Sequence, residues 1–171
     1  SEIIANGIIP SGMEMMDKAL IHATDNFVKA GYPRDAESML IVELDGTEIE
    51  VKELIEKVSE IAKKNKSSSI KISKNEKQRA KFWAGRKAAF PACGDMAPDY
   101  YCMDGTIPRG KLANVLKEIG RLSKKYNLPV ANAFHAGDGN LHPLIMYDAN
   151  EKNSLEKTEK FGADILKYCV K

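Results

Sequence analysis

Two apolar runs, Val130 to Phe134 and Leu141 to Tyr147, flank the short segment Gly137-Asp138-Gly139-Asn140. Runs joined this way form a β-hairpin, because glycine and asparagine accept the positive φ that a tight reversal demands. A hairpin forces its two strands antiparallel, which removes the wholly parallel α/β folds from consideration. Further strand-like runs are Met39 to Leu44, Ser69 to Ile72 and Tyr100 to Met103. They alternate with helical segments, so the expected class is α+β, an antiparallel or mixed sheet covered by helices.

Three positions fit a capping box, in which Ser or Thr and a Glu three residues on satisfy each other's backbone N–H. They are Ser11 with Glu14, Thr47 with Glu50, and Ser73 with Glu76. The first helix is expected to carry Met13, Met16, Leu20, Ala23 and Phe27 and to stop before Gly31-Tyr32-Pro33. The second carries Val51, Leu54, Ile55, Val58, Ile61 and Ala62 at helical spacing. A third spans about Lys74 to Phe90, a fourth follows Pro108, and a last begins near Asn153. Met13, Met15 and Met16 read as core, and His22 as a surface residue.

With 171 residues the chain is long enough for one domain with a proper core. Its 26 basic and 24 acidic residues nearly cancel, a balance that does not advertise a nucleic-acid surface. Cys93, Cys102 and Cys169 are odd in number and widely spaced, so a reducing compartment is the simpler expectation than a disulfide framework. No run of about 18 apolar residues exists to span a membrane, and no secretory signal pattern opens the chain. Both ends read as cut from a longer chain: Ser1-Glu2-Ile3-Ile4 starts within an apolar run, and the last helix reaches Lys171 without a stop residue.

The segment His135 to Pro143 carries the sharpest chemistry. With Asp138-Gly139 as a two-residue turn, His135 faces His142, and directly opposed residues share a face with Cβ atoms roughly 4.5–5.5 Å apart. Two imidazoles so placed reach one ion or one substrate group, yet a zinc site needs at least three protein ligands. The alternative is a histidine pair stacked at a sheet end. The loop lacks the lysine and following helix of a phosphate-binding P-loop. On the third helix, Arg79, Trp83, Arg86 and Phe90 share one face. Arg86, between two aromatics, is either an anchor for a carboxylate, which its planar fork matches in two bonds, or a snorkelling or ion-paired residue. Tyr100 and Tyr101 point to opposite faces of their strand, so only one can line a given pocket. Asp104 reads as a cap or turn residue, and Cys102 as a small buried apolar residue.

The strings FWAGRKAAFPA, DYYCMDGTIPRG and HAGDGNLHPLIMYDAN resemble the C-terminal domain of FAD-linked oxidases of the vanillyl-alcohol oxidase type, as do GIIPSGMEMMD and AGYPRDAESMLIVELDG. HAGDGNLHP is similar across the 2-hydroxy-acid members, whereas DYYCMDGTIP points to the glycolate oxidase branch, its D subunit. The resemblance covers essentially residues 1–171 and implies a ferredoxin-like cap domain, cut at both ends, whose sheet faces a flavin held by a domain absent from this chain. It implies oxidation of a small 2-hydroxy acid, glycolate or D-lactate, with hydride passing to FAD. It implies that Arg86 binds the substrate carboxylate with Tyr101 as a further substrate contact, that Asn140 contacts the cofactor, and that His135 and His142 bind a divalent metal such as zinc. The glutamate that completes that site in relatives, and the candidate base after it, would lie beyond Lys171, so the chain alone should be inactive. Other glycolate oxidase subunits are the implied partners, in the cytoplasm or against the inner membrane through those subunits. The open sheet face would also allow a homodimer.

D-2-hydroxyglutarate-type relatives have lysine at the position of Cys102, threonine at Phe90 and asparagine at Leu144. Their absence here implies a small substrate without a second carboxylate. Two other classes compete: a non-enzymatic ferredoxin-like module that binds ligands and dimerises, for which the histidine hairpin has no use, and a metal hydrolase, which needs a third ligand that the turn residues Asp138 and Asp148 do not provide.

Overall fold

The computed structural model describes residues 1–170. One sheet contains the strands β1 (Gly12–Asp17), β2 (Ser38–Glu43), β3 (Asp99–Cys102), β4 (Gly105–Thr106), β5 (Val130–His135) and β6 (Asn140–Tyr147). Their order is β2-β1-β5-β6-β3, with β4 also on β6, and each pairing is antiparallel. The helices are α1 (Glu2–Ala5), α2 (Lys18–Val28), α3 (Glu48–Lys64), α4 (Glu76–Lys87), α5 (Ala89–Cys93), α6 (Leu112–Tyr126) and α7 (Ser154–Cys169). β3, α6 and β5 form a split β-α-β unit, because β6 lies between two strands that both run against it. The α+β class with an antiparallel sheet stands as expected.

Period-two alternation sends side chains into two cores. Met13, Met15, Phe134, Leu141 and Ile145 point to one side, where they meet Val115, Ile119 and Leu122 of α6 and Phe161 and Ile165 of α7. Met16, Ala131, Ala133, Leu144 and Met146 point to the other, against Leu20 and Ile21 of α2 and Ala89 and Cys93 of α5. Burying each large side chain such as Phe134 or Phe161 contributes about 1.5–3 kcal/mol, so both layers hold the sheet. The three methionines are core, as their sequence context suggested.

The first helix begins later than its spacing predicts. Residues 12–17 are strand β1, and α2 starts at Lys18, where the Leu20 N–H donates to Asp17 Oδ1 at 3.0 Å. Both faces of β1 are buried, so its apolar residues show no clean alternation, and the spacing of Met13, Met16 and Leu20 imitates a helix. Of the three expected capping boxes only Thr47 with Glu50 forms. Ser11 donates to the Glu43 carbonyl, and α4 is capped by Asn75, which accepts from the Gln78 N–H. Ser69 to Ile72 is not a strand; Ile70 and Ile72 are exposed and pair with no neighbour in the sheet.

Candidate functional site

The sheet register builds the site. Glu14 on β1 lies directly opposite His135 on β5, and His135 lies opposite Asn140 on β6. His142 stands opposite Ala133, one diagonal step from His135 on the same face. The expected two-residue turn is thus a four-residue loop, 136–139, which shifts the pairing by two residues and leaves both imidazoles on one side. Their rings meet edge-on with centroids 4.9 Å apart.

The loop is held by close backbone contacts. Gly139 has φ +76°, and a Cβ there would overlap the Ile107 carbonyl, whose own N–H donates to the Gly139 carbonyl at 3.0 Å. Arg109 Nη1 donates to the Gly137 carbonyl at 2.9 Å, and the Gly137 N–H donates to the Met13 carbonyl at 3.1 Å.

Helix α4 delivers Arg86 to the same face. Trp83 rests on the bare backbone of Gly12, and Tyr32 lodges against Gly85. Arg86 Nε donates to Glu14 Oε2 at 2.9 Å, and His135 Nδ1 lies 2.7 Å from Glu14 Oε1. A carboxylate only accepts, so Nδ1 carries the hydrogen and donates it to Glu14. The side chains of Arg86 and Glu14 are 11% and 13% exposed, and His142 is 14% exposed. Burial pushes the His142 pKa down, with the charges of His135 and Arg86 acting the same way and those of Asp104 and Glu14 opposing. A neutral imidazole is the form that ligates a cation.

This arrangement suits an anion. Among the described residues neither terminal nitrogen of Arg86 has a hydrogen-bond partner, so its fork is free beyond Nε. Asn140 Oδ1 is buried and also unpartnered. Arg86, His135, His142 and Asn140 therefore lie on one face of the sheet. Tyr101 does not join them: it pairs with Ile145, and strand alternation turns its ring into the other core, against Gly162 of α7. Tyr100 takes the site's face instead, tilted against Phe90 with ring centroids 6.3 Å apart. Asp104 is exposed, 3.9 Å from His142, and Cys102, at the end of the strand, is exposed rather than buried. Glu14 is the residue that sequence reasoning missed. Its signal was a lone carboxylate between buried methionines in Gly12-Met13-Glu14-Met15-Met16, which reads as a helix cap only if the segment is a helix.

Two histidines supply two metal donors, and among the described residues no group of three His, Cys, Asp or Glu side chains is placed to hold an ion.

The glycolate oxidase subunit GlcD of Escherichia coli (strain K12) is 55% identical over 169 residues, which are 99% of this chain and 34% of that protein. GlcD of Bacillus subtilis (strain 168) is 32% identical, over 99% of this chain and 36% of its own length. The mitochondrial D-lactate dehydrogenase [cytochrome] of Arabidopsis thaliana is 29% identical, over 92% of this chain and 28% of its own. The chain thus spans about a third of the length of these relatives. Among solved structures, 4-ethylphenol oxidase from Gulosibacter chungangensis, in its isoeugenol complex, shares the fold at TM-score 0.59 and 12% identity, covering 91% of this chain and 37% of that one. The family model for FAD linked oxidases, C-terminal domain, matches residues 1–171, and the chain belongs to that family.

Proposed function

We propose that this chain is the substrate-side domain of a flavin-dependent 2-hydroxy-acid oxidoreductase that converts glycolate or D-lactate to the 2-oxo acid. The observation that carries the reading is the convergence of Arg86, His135 and His142 on one face, with the terminal nitrogens of a largely buried arginine unpartnered. Arg86 accepts the substrate carboxylate in two charge-assisted bonds. Leu144 is fully buried on this face, opposite Cys102, and Phe90 stands against Tyr100. None of these groups offers a charge to a second carboxylate, which favours a small substrate. Asn140, with its unsatisfied oxygen, is the contact offered to the cofactor.

FAD, held mainly by a domain outside this chain, supplies the hydride acceptor. His135 and His142 supply two ligands of a divalent metal site; a bound ion would acidify the substrate hydroxyl, and a third protein ligand and the base would come from outside residues 1–171. The chain by itself is therefore inactive and colourless, and a yellow, flavin-loaded preparation would contradict that. The partners are the other subunits of a glycolate oxidase complex, which place the protein in the cytoplasm or at the membrane periphery; among the described residues no helix is long and apolar enough to cross a membrane.

The test is turnover by the full-length protein with its partner subunits, comparing glycolate, D-lactate and D-2-hydroxyglutarate. Oxidation of the first or second well above the third is expected. Preference for the dicarboxylic acid would overturn the small-substrate reading, and no oxidation of any of them would overturn the function. Loss of turnover after strong chelation is the result expected of the metal; indifference to it counts against the metal alone.

A further inference from the structure

We infer that Glu14 is a positioning residue for the acid-binding site: it clamps Arg86 through Nε so that the two terminal nitrogens face the substrate. This rests on the reading of Arg86 as the carboxylate anchor.

A guanidinium presents two forks to a planar acid, one through Nε and one terminal nitrogen, the other through both terminal nitrogens. Glu14 Oε2 occupies Nε at 2.9 Å, which leaves the terminal fork. The other oxygen, Oε1, meets His135 Nδ1 at 2.7 Å. One carboxylate thereby sets the orientation of two site side chains that arrive from different elements, the arginine from α4 and the imidazole from β5. Glu14 itself cannot turn away: it is 13% exposed and lies on a strand paired on both edges. The ion pair engages Nε alone, so both terminal nitrogens remain as donors.

Charge alone predicts the opposite consequence. A carboxylate beside an anion site repels the incoming acid, so a Glu14 that served only as a counter-ion would weaken binding, and its removal would tighten it. A Glu14 that positions Arg86 does the reverse. The sign of one measurement separates the two.

The test uses the full-length protein with its flavin and partner subunits, and oxalate as the probe, an acid with no hydrogen to lose as hydride. Binding is read by calorimetry, beside KM and kcat for the substrate and a thermal unfolding midpoint. Glu14→Gln keeps the volume but retains only one acceptor, and about a tenfold loss of oxalate affinity is expected, in line with loss of one charge-assisted hydrogen bond. In an Arg86→Met background the same change should have no further effect on affinity, because its action runs through Arg86. Glu14→Asp, which keeps the charge and withdraws it by one methylene, should fall between wild type and Glu14→Gln, and decides the matter should the glutamine variant fail to fold. Wild-type or tighter oxalate binding by either Glu14 variant overturns the inference, as does an equal loss with and without Arg86. If Arg86→Met itself binds oxalate like wild type, the anchor reading falls first, and the inference with it.

Discussion

The backbone N–H of Gly85 donates to the Tyr32 hydroxyl at 2.8 Å, and that hydroxyl donates in turn to the Phe82 carbonyl at 2.6 Å. A buried phenol is thus spliced into helix α4 one residue before Arg86. The contact needs glycine, because a Cβ at position 85 would overlap the Tyr32 ring. It fixes how far α4 sits above the sheet and therefore where the arginine reaches.

Gly85→Ala should lower stability by roughly 1–3 kcal/mol, the usual cost of overpacking a filled interior. Tyr32→Phe, which removes the hydroxyl from both bonds, should cost about 1–3 kcal/mol through the unsatisfied groups it leaves. Denaturant unfolding of residues 1–171 measures both. An unchanged midpoint for Gly85→Ala would mean that α4 can shift freely, and Arg86 with it.

Gly139→Ala meets two penalties at once. Its φ of +76° is costly for any residue with a Cβ, by about 1–2 kcal/mol, and the added carbon would overlap the Ile107 carbonyl. A combined loss of roughly 2–4 kcal/mol is expected. Since His135 and Asn140 flank this loop, the intact enzyme should also lose turnover at temperatures where the variant is still folded.

Arg86→Lys in the full-length protein retains the charge and loses the planar fork. A fall of roughly 10- to 100-fold in kcat/KM for the hydroxy acid is expected, as for losing a charge-assisted hydrogen bond of about 1.5–3 kcal/mol. Oxidation at the wild-type rate would remove Arg86 from the substrate site.

Asp17 caps α2 and accepts from Asn132 Nδ2 at 2.7 Å, yet burial raises its carboxyl above the ordinary value of 3.8, the hydrogen bonds from Leu20 and Asn132 opposing. With the folded pKa raised, the native state binds more protons than the unfolded chain in the window just above pH 3.8. Asp17 therefore favours folding below that window, and the benefit is lost as pH rises through the folded pKa. Asp17→Asn keeps a capping oxygen and cannot ionise. Relative to wild type it should gain stability as pH rises across the window, which unfolding curves between about pH 3.5 and 6 would show. A difference that stays constant with pH would mean that Asp17 ionises in the fold as easily as in water.

Much of the architecture is local and was legible. The hairpin strands, β2, β3 and the helices α3, α6 and α7 follow from runs, spacing and end signals that act within a few residues. β1 was not, because a strand buried on both faces carries no alternation, and Met13, Met16 and Leu20 fit a helix as well. Ser69 to Ile72 has strand-like composition but finds no partner, and β-propensity without a neighbouring strand yields no ladder. The three cationic or ligating members of the site, Arg86, His135 and His142, announced themselves by residue type and by the resemblance of their surroundings.

By itself the sequence determined the class of fold, the hairpin and the kinds of side chain available to the site, since each depends on propensities and patterns of short range. The tertiary structure alone decided that Glu14 joins Arg86, 72 residues away, to His135, 121 residues away, and that Tyr101 turns from the site. Those outcomes hang on strand register and on the height of α4 above the sheet. Register and helix placement are settled by the packing of the whole, where a shift of one residue would send every side chain to the other face.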